Sequence, residues 1–517
     1  MIRTVLHVCI VLIVPHESAR ILGVFPFPSI SHQVVFRPLV QELAKRGHEV
    51  TVITPDPAFP EGQTPANLTE IDIHDASYKI WRHDFVSKTE KPKNVVDQMQ
   101  EMFNAANKIY DSQYQDDQIL GLIRDKSKQF DLLLIEACVR PALVFSHIYK
   151  APVIQVSSFS GLSDNYDAMG LPSHPFLYPS MFRQKLYNLT LWEKISEMYY
   201  NYVIEKMLSD KEEIENDILR KRIGPSIPPL SELRKNIDML FLNVHPIFQG
   251  IRPVPPSVVY MGGLHQKPEK PLPQDLKSFL DSSINGVIYV SFGTNVDPTA
   301  LPLEKIQILA RVFSQQPYDI LWKWNNDDLP GRTKNIKITK WLPQSDLLRH
   351  PKIKLFVTQG GLQSTDEAIT AGVPLLGIPM LGDQWFNVEQ YLRLKIGLRV
   401  DMETITEEIL AGSIKTILGD QSYRQNVVKL RKLISDQPQK PLDRAVWWIE
   451  YVLRNGGAKH LKSPSANMSW WDFLELELVF IVLGITLAIT IIIAAIAFNS
   501  YRYITKKYIT QYKIKSS

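Results

Sequence analysis

Cysteine is nearly absent: the 517 residues contain only two, Cys9 and Cys138, and Cys9 lies in an N-terminal stretch that reads as removable. Loss of that stretch leaves Cys138 alone. No intrachain disulfide is then possible, and stability must come from burial of apolar surface, which a chain long enough for two domains can supply. An excess of one charge is missing as well. Lys and Arg number 58 against 54 Asp and Glu, a net charge of +4, dispersed apart from a basic tail, and nothing in it argues for nucleic-acid binding. No Gly-x-Gly-x-x-Gly fingerprint follows any strand candidate, which speaks against a nicotinamide or flavin enzyme. Long apolar runs are confined to the two ends.

Met1 to Ala19 carries Arg3, an apolar run from Val5 to Val14 and a small residue at Ala19. This is the layout of a secretory signal, since about ten apolar residues are too few to span a bilayer; Glu17 fits the usual cleavage pattern poorly and leaves the cut position open. Leu478 to Phe498, about 21 apolar residues, suffices for one crossing. Trp470 and Trp471 precede it, and Arg502, Lys506, Lys507, Lys513 and Lys515 follow, which puts the cytosol after the span and the body in the lumen. Sequons at Asn67, Asn188 and Asn467 lie between the two segments and agree with a glycosylated luminal body. The ending Lys513-Ile-Lys515-Ser-Ser resembles a dilysine retrieval signal, which points to a type I protein of the endoplasmic reticulum membrane. A basic anchor tail without an address is the other reading.

Between the ends the pattern is α/β. Arg20 to Phe25 reads as a strand, the loop Pro26 to Ser31 delivers His32 to a helix with Phe36, Leu39, Val40 and Leu43 on one face, and Glu49 to Ile53 is a second strand. Such a unit seeds a parallel sheet whose ligands bind at the carboxyl ends of the strands. His32 falls there, at a helix N-terminus whose dipole favours the neutral imidazole, a form that takes up a proton; a helix cap or an exposed ring is the plainer reading of a lone histidine. Phe130 to Ile135 is a further strand with Glu136 at its end. A carboxylate there can accept the His32 ring N–H, fix its tautomer and stabilise the imidazolium, unless it is a solvated loop carboxylate. His48 reads as part of a turn. After the strand Pro152 to Ser157 the chain turns polar and aromatic to about Tyr202. Phe159, Tyr166, Met169, Phe176, Leu177, Tyr178 and Phe182, with parts of Phe85 to Tyr114, are candidates for a greasy pocket there.

A Pro-rich passage from Pro246 to Pro273 separates this half from a new strand, Gly286 to Phe292, that ends on Gly293-Thr294. Alternation resumes with a helix from Leu303 and a strand from Asp319 to Trp324, then Lys354 to Thr358 as a strand, a Gly360-Gly361 turn and a helix from Leu362 to Ala371. The free N–H groups of that helix's first turn form an anion site, and glycine lets the oxygens approach. Gln359, Gln363 and Glu367 recur every four residues, so one helical face carries two amide donors and an acceptor over roughly 12 Å, about the reach of a nucleoside diphosphate. Helices from Thr406 to Arg454 are expected to wrap back over both halves.

The stretch from Trp341-Leu-Pro-Gln344 through Gln359-Gly-Gly361 to Gly382-Asp383-Gln384 resembles the donor signature of the UDP-glycosyltransferases, and the likeness extends more loosely across nearly the whole chain. The resemblance implies that Trp341 stacks on uracil, that Gln344 helps to read the base, and that Asp383 and Gln384 hold the donor sugar. It implies further that His32, in Phe27-Pro-Ser-Ile-Ser-His32, is the general base, and the strand-end turn Gly293-Thr294 is expected to face the diphosphate. Gln359 stands where vertebrate members carry His, as in the insect branch, and Glu136 stands where the family generally has Asp. The implied fold is GT-B: residues 20–245 for the acceptor, a linker at 246–283, 284–455 for the UDP-sugar, a juxtamembrane stretch 456–477, the span 478–498 and a tail 499–517 after the leader 1–19. The implied chemistry is inverting transfer of a sugar, glucose or alternatively glucuronate, to a hydroxyl of a small lipophilic acceptor in detoxification. It needs no cofactor, no metal and no Asp-x-Asp motif. Retention through a carboxylate nucleophile is the mechanistic rival, and a luminal binding protein that keeps the clamp without turnover is the rival of another class. The calls on partners are the two substrates, the membrane and no nucleic acid, with homo- or hetero-oligomers compatible.

Overall fold

The computed structural model describes residues 18–86, 95–294, 296 and 298–515. Nearly all of the leader and the final Ser-Ser of the retrieval-like ending lie outside the described residues, as do the side chains of Lys513 and Lys515. The chain divides into two compact units at Ser463 and Pro464.

The first unit holds two sheets. One joins β1 (Arg20–Val24), β2 (Glu49–Thr54), β3 (Leu68–Asp72), β4 (Leu132–Glu136), β5 (Val153–Ser157), β6 (Ile237–Leu242) and β7 (Val258–Tyr260) in the order β3-β2-β1-β4-β5-β6-β7. The other joins β8 (Val287–Ser291), β9 (Asp319–Lys323), β10 (Ile336–Thr339), β11 (Ile353–Thr358), β12 (Leu375–Gly377) and β13 (Gly397–Arg399) in the order β10-β9-β8-β11-β12-β13. Every pairing is parallel. Because helices cover both faces, the inner strands are apolar throughout instead of alternating: β4, β5, β6 and β8 are buried along their whole lengths.

In each sheet the strand order reverses once, between β1 and β4 in the first and between β8 and β11 in the second. At such a reversal the two connections leave in opposite directions and open a crevice outside the strand ends. The segments singled out by sequence, the loop before His32, Glu136, Gly293-Thr294 and Gln359 to Gly361, all leave from these four strands.

The helix Ile30–Lys45 buries Val35, Phe36, Leu39, Val40 and Leu43 against the first sheet. Helices Glu407–Gly419 and Ser422–Ser435 stay with the second sheet, but Pro441–Asn455 returns and places Ala445, Val446, Ile449 and Val452 in the same core as Ile30–Lys45. Fully burying each of its larger side chains is worth about 1.5–3 kcal/mol, and this is how the chain's later part is tied to its first domain. The segment that follows is pinned too: Asp238 Oδ1 accepts the Ala458 N–H at 2.8 Å, and Lys462 Nζ donates to the Ile237 carbonyl at 3.0 Å.

The second unit contains the short helix Trp470–Phe473 and the 40-residue helix Leu476–Lys515. Its Leu476–Tyr512 portion is long and apolar enough to cross a membrane. Thr486 and Thr490 return their hydroxyls to the carbonyls four residues earlier, both at 2.8 Å, so neither brings an unmet polar group to the apolar stretch.

Candidate active site

His32 is the third residue of its helix, whose N-cap Ser29 is extended (φ −147°) and gives no side-chain cap. Its Nδ1 lies 2.7 Å from Glu136 Oε1. Glu136 is the last residue of β4 and is 1% exposed, which removes the solvated-loop reading, and its second oxygen accepts the Phe27 N–H at 3.2 Å. The extra methylene relative to Asp therefore does not prevent the pairing. Phe27 stacks on the imidazole (5.1 Å between centroids) and Phe159 meets it edge-on (5.2 Å). The ring is thus fixed on three sides while its far edge borders the cleft. An ionised carboxylate only accepts, so the ring proton sits on Nδ1 and Nε2 is left with a lone pair toward the cavity. The Cys138 thiol also reaches Glu136 Oε1, at 3.5 Å, and burial beside that carboxylate holds the thiol well above its usual pKa, in the protonated form. Among the described residues these three side chains form the one cluster of metal-ligand type.

Opposite stands the second sheet's crevice. Gly293 has φ +77°, and a Cβ there would lie 2.2 Å from Gln359 Nε2, so glycine is what lets Gln359 fold over the strand end. Gln359 is buried, with its Oε1 unpartnered. Gly361 caps the helix Leu362–Ala371 in extended conformation, and Thr365 N–H is the first to find a main-chain acceptor, leaving the first turn's donors outward. Lys323 Nζ donates to the Gly293 carbonyl at 2.7 Å and lies 5.0 Å over the Trp341 ring, its pKa lowered by burial. Trp341 is 67% exposed and offers an open indole face.

Several expectations are corrected. Gln359 precedes the helix, so only Gln363 and Glu367 share the face assigned to three residues. The Gln363 amide is not turned to the first-turn donors but crosses the cleft to the Ser158 carbonyl at 2.9 Å. Gly360 does not border the cavity; at φ +92° it turns the chain, and its carbonyl accepts from Asn387 at 2.9 Å. Gln344 spends its amide on Ser364 Oγ (2.9 Å) and Glu367 Oε2 (2.8 Å) and its carbonyl on the Tyr289 hydroxyl (2.9 Å), so it orients Glu367 before it can read a base. Burial raises the Glu367 pKa, and the Gln344 bond opposes this. Of the pocket aromatics expected between Ser158 and Tyr202 only Phe159 and Phe182 border the cavity, whereas the stretch Phe85 to Tyr114 does contribute, through Phe85, Phe103 and Tyr110. Met169 is core, Leu177 is 68% exposed, and Tyr166 and Tyr178 pack against the Arg252 guanidinium.

Gly293, Thr294, Gly361, Trp341, Gln344, Gln359, Gln363, Glu367, Asp383 and Gln384 all border, with His32, one cavity of about 550 Å³. Its first-domain wall is mostly apolar, with Phe27, Trp81, Phe103, Phe159, Met181 and Phe182, and Ser31 and Arg37 also border it. Asp383 opens the helix Gln384–Leu394 and holds Asn387 Nδ2 at 2.9 Å; burial raises its pKa, while that bond and the nearby His32 act in the opposite direction. Gln384 Oε1 accepts the N–H groups of Met380 (2.9 Å) and Leu381 (2.8 Å), so its NH₂ is what remains for a ligand. The same helix docks on the first domain. Trp385 packs with Leu162, Met181 and Phe182, Glu389 accepts the Leu186 N–H at 3.1 Å, and Arg399 next to it reaches the Gln184 carbonyl at 2.7 Å. Lys323, Lys267, His265 and Cys138 also border the cavity and were not picked out by sequence as site residues. The available signal for Lys323 was a lone cation within the apolar strand Ile320 to Trp324.

The sequons begin at Asn67 and Asn188, both exposed, and at the half-buried Asn467, each with φ near +60°. Thr190 of the second sequon is itself the N-cap of the helix Leu191–Arg222.

The profile of the family described as "UDP-glucoronosyl and UDP-glucosyl transferase" matches residues 21–515. The ecdysteroid UDP-glucosyltransferase of Lymantria dispar multicapsid nuclear polyhedrosis virus is 36% identical over 91% of this chain and 94% of its own. UDP-glycosyltransferase UGT5 of Dactylopius coccus is 29% identical over 94% and 93%. Among solved structures, the glycotransferase of kitacinnamycin superposes with a TM-score of 0.56 at 18% identity, covering 84% of this chain and 99% of that one. The calicheamicin glycosyltransferase CalG4 does so with 0.53 at 16%, covering 85% and 99%. At such identities the likeness speaks for the GT-B fold.

Proposed function

The chain belongs to the UDP-glucuronosyl and UDP-glucosyl transferase family and is a UDP-glycosyltransferase of GT-B fold, and from that premise we propose that it moves glucose from UDP-glucose to a hydroxyl of a lipophilic acceptor, with inversion. The observation that carries the proposal is the His32–Glu136 pair at 2.7 Å, beneath an apolar wall and across the cleft from Asp383. His32 Nε2 takes the acceptor's hydroxyl proton. The freed oxygen forms the new bond to the anomeric carbon as the carbon–oxygen bond to UDP breaks, and UDP leaves with the electron pair. Glu136 keeps the ring proton on Nδ1 and stabilises the imidazolium as it forms. A histidine in this position favours one displacement over a carboxylate nucleophile and so argues for inversion.

The leaving diphosphate is met by the first-turn N–H groups after Gly361, by Thr294 and Gln359, and by Lys323, donors aimed where charge develops. With that set the reaction proceeds without a metal or other cofactor. Trp341 supplies the stacking face for uracil, Glu367, oriented by Gln344, accepts from the ribose, and Asp383 with the Gln384 NH₂ binds the sugar hydroxyls. Glucose is favoured over glucuronate by the activities named for the relatives. An ecdysteroid, named for several of them, has the fused apolar skeleton and hydroxyls that this wall suits, and toxins or pigments of the same character are substrates of the same kind in detoxification. On this reading the leader is removed, Asn67, Asn188 and Asn467 are glycosylated, residues 478–498 cross the membrane once with the body on the luminal side, and the dilysine-like ending returns the enzyme to the endoplasmic reticulum.

The test is turnover by microsomes expressing the chain, with UDP-glucose and UDP-glucuronate offered in parallel against an ecdysteroid and a panel of phenols. Product from UDP-glucose that is lost with His32→Ala supports the proposal; product from UDP-glucuronate alone overturns the donor assignment.

A further inference from the structure

The segment joining the two sheets carries a histidine that the mechanism leaves unused. His265, in Gly262-Gly263-Leu264-His265, is 5% exposed, borders the cleft cavity, and makes no well-formed hydrogen bond at either ring nitrogen. Burial pushes its pKa down to about 4, with the Lys267 charge acting in the same direction and the main chain of Gln363 against it. The ring is therefore neutral at physiological pH and has one N–H to give and one lone pair to fill. Leaving both unmet in the interior costs stability, so the arrangement is favourable only where a ligand completes it.

The neighbour identifies that ligand. Gln363 lies in the first turn of the helix after Gly361, whose outward N–H groups suit an anionic oxygen. The His265 ring, Lys267 two residues on, and Gly361, Leu362 and Gln363 of that turn all border the same cavity. We propose that His265 is a donor-site residue whose ring N–H is given to a phosphate oxygen of the bound nucleoside diphosphate, so that the interdomain linker itself grips the leaving group. This rests on the reading of the cleft as a UDP-sugar site. A neutral donor suits the position: it binds the diphosphate without holding so firmly the anion that must leave after each turnover.

The test compares UDP and uridine binding by calorimetry for the full-length protein, His265→Ala and His265→Gln, with melting temperatures to confirm folding. Wild type that binds no UDP overturns the donor-site reading itself. Given wild-type binding, the expected result is that His265→Ala weakens UDP roughly tenfold and leaves uridine unchanged, while His265→Gln, which restores an N–H, recovers most of the loss. Equal weakening of UDP and uridine, or unchanged UDP affinity in a folded His265→Ala, overturns the assignment.

Discussion

Glu136→Gln gives the sharpest reading of the proposed base, because the surrounding hydrogen bonds dictate how the new amide must sit. Phe27 N–H needs an acceptor at the place of Oε2, so the amide oxygen is drawn there and the NH₂ is turned to His32 Nδ1, now 2.7 Å from a donor instead of an acceptor. The imidazole answers by moving its proton to Nε2, the edge that borders the cavity, and presents an N–H where a base must present a lone pair. The imidazolium also loses its compensating charge. For a wrong tautomer behind an intact geometry, a loss of about 10³–10⁴ in kcat is expected, some 4–5.5 kcal/mol at about 1.4 kcal/mol per decade. UDP affinity should hold, since Glu136 does not border the cavity. The assay is the initial rate at saturating UDP-glucose alongside calorimetric titration with UDP. Glu136→Asp, which withdraws the carboxylate by about 1.5 Å on an otherwise fixed strand, should fall between the two. A Glu136→Gln enzyme within tenfold of wild type would refute the argument, since neither the tautomer nor the charge would then matter.

Three further outcomes are expected. His32→Ala should lower turnover at least about a hundredfold with UDP affinity nearly unchanged, a parallel loss of UDP binding being the sign of a structural role. Trp341→Ala should weaken UDP by about 1–3 kcal/mol if the exposed indole carries the base; an unchanged Kd removes it from the site. Asp366 is held by burial, and next by Glu367, at a pKa of about 8 against 3.8 for the free group. A raised carboxyl is protonated when folded and charged when unfolded across that interval, so it erodes stability by about 1.4 kcal/mol per unit as pH climbs from near 4 to near 8. Asp366→Asn should therefore melt higher than wild type, by a margin that grows between pH 5 and pH 8, and a margin equal at both would mean the carboxyl is not held neutral.

How much of this was legible in the sequence follows from how local each signal is. Strand-turn-helix units announced themselves through unbroken apolar runs such as Leu132 to Ile135 and through Gly360-Gly361, and these fixed two parallel sheets and their crevices. His32 and Glu136 were legible because both stand at strand ends, where a doubly wound fold must bring them together. Side chains whose partners lie far away in sequence were not. Nothing local says that Gln363 reaches across to Ser158, or that Gln344 is taken by Glu367. The helical period placed Gln359 on a face it never joins, since the helix starts only after the second glycine. Tyr166 and Tyr178 look like pocket aromatics until Arg252, more than seventy residues later, claims both.

The docking of Gln384–Leu394 against residues 181–187 makes the two substrate sites one inheritance. The helix that begins with Asp383-Gln384 is the one whose Trp385 and Glu389 hold the acceptor-side loop through Met181, Phe182 and Leu186. A chimera that exchanges the first domain for a relative's, to import a new acceptor range, severs this mutual fit unless residues 385–399 travel with it. Drift in acceptor preference is likewise tethered to drift on a helix to which the proposed function assigns the donor sugar, so new specificities should arise more readily on the wall around Trp81 and Phe103 than in the loop beside Trp385.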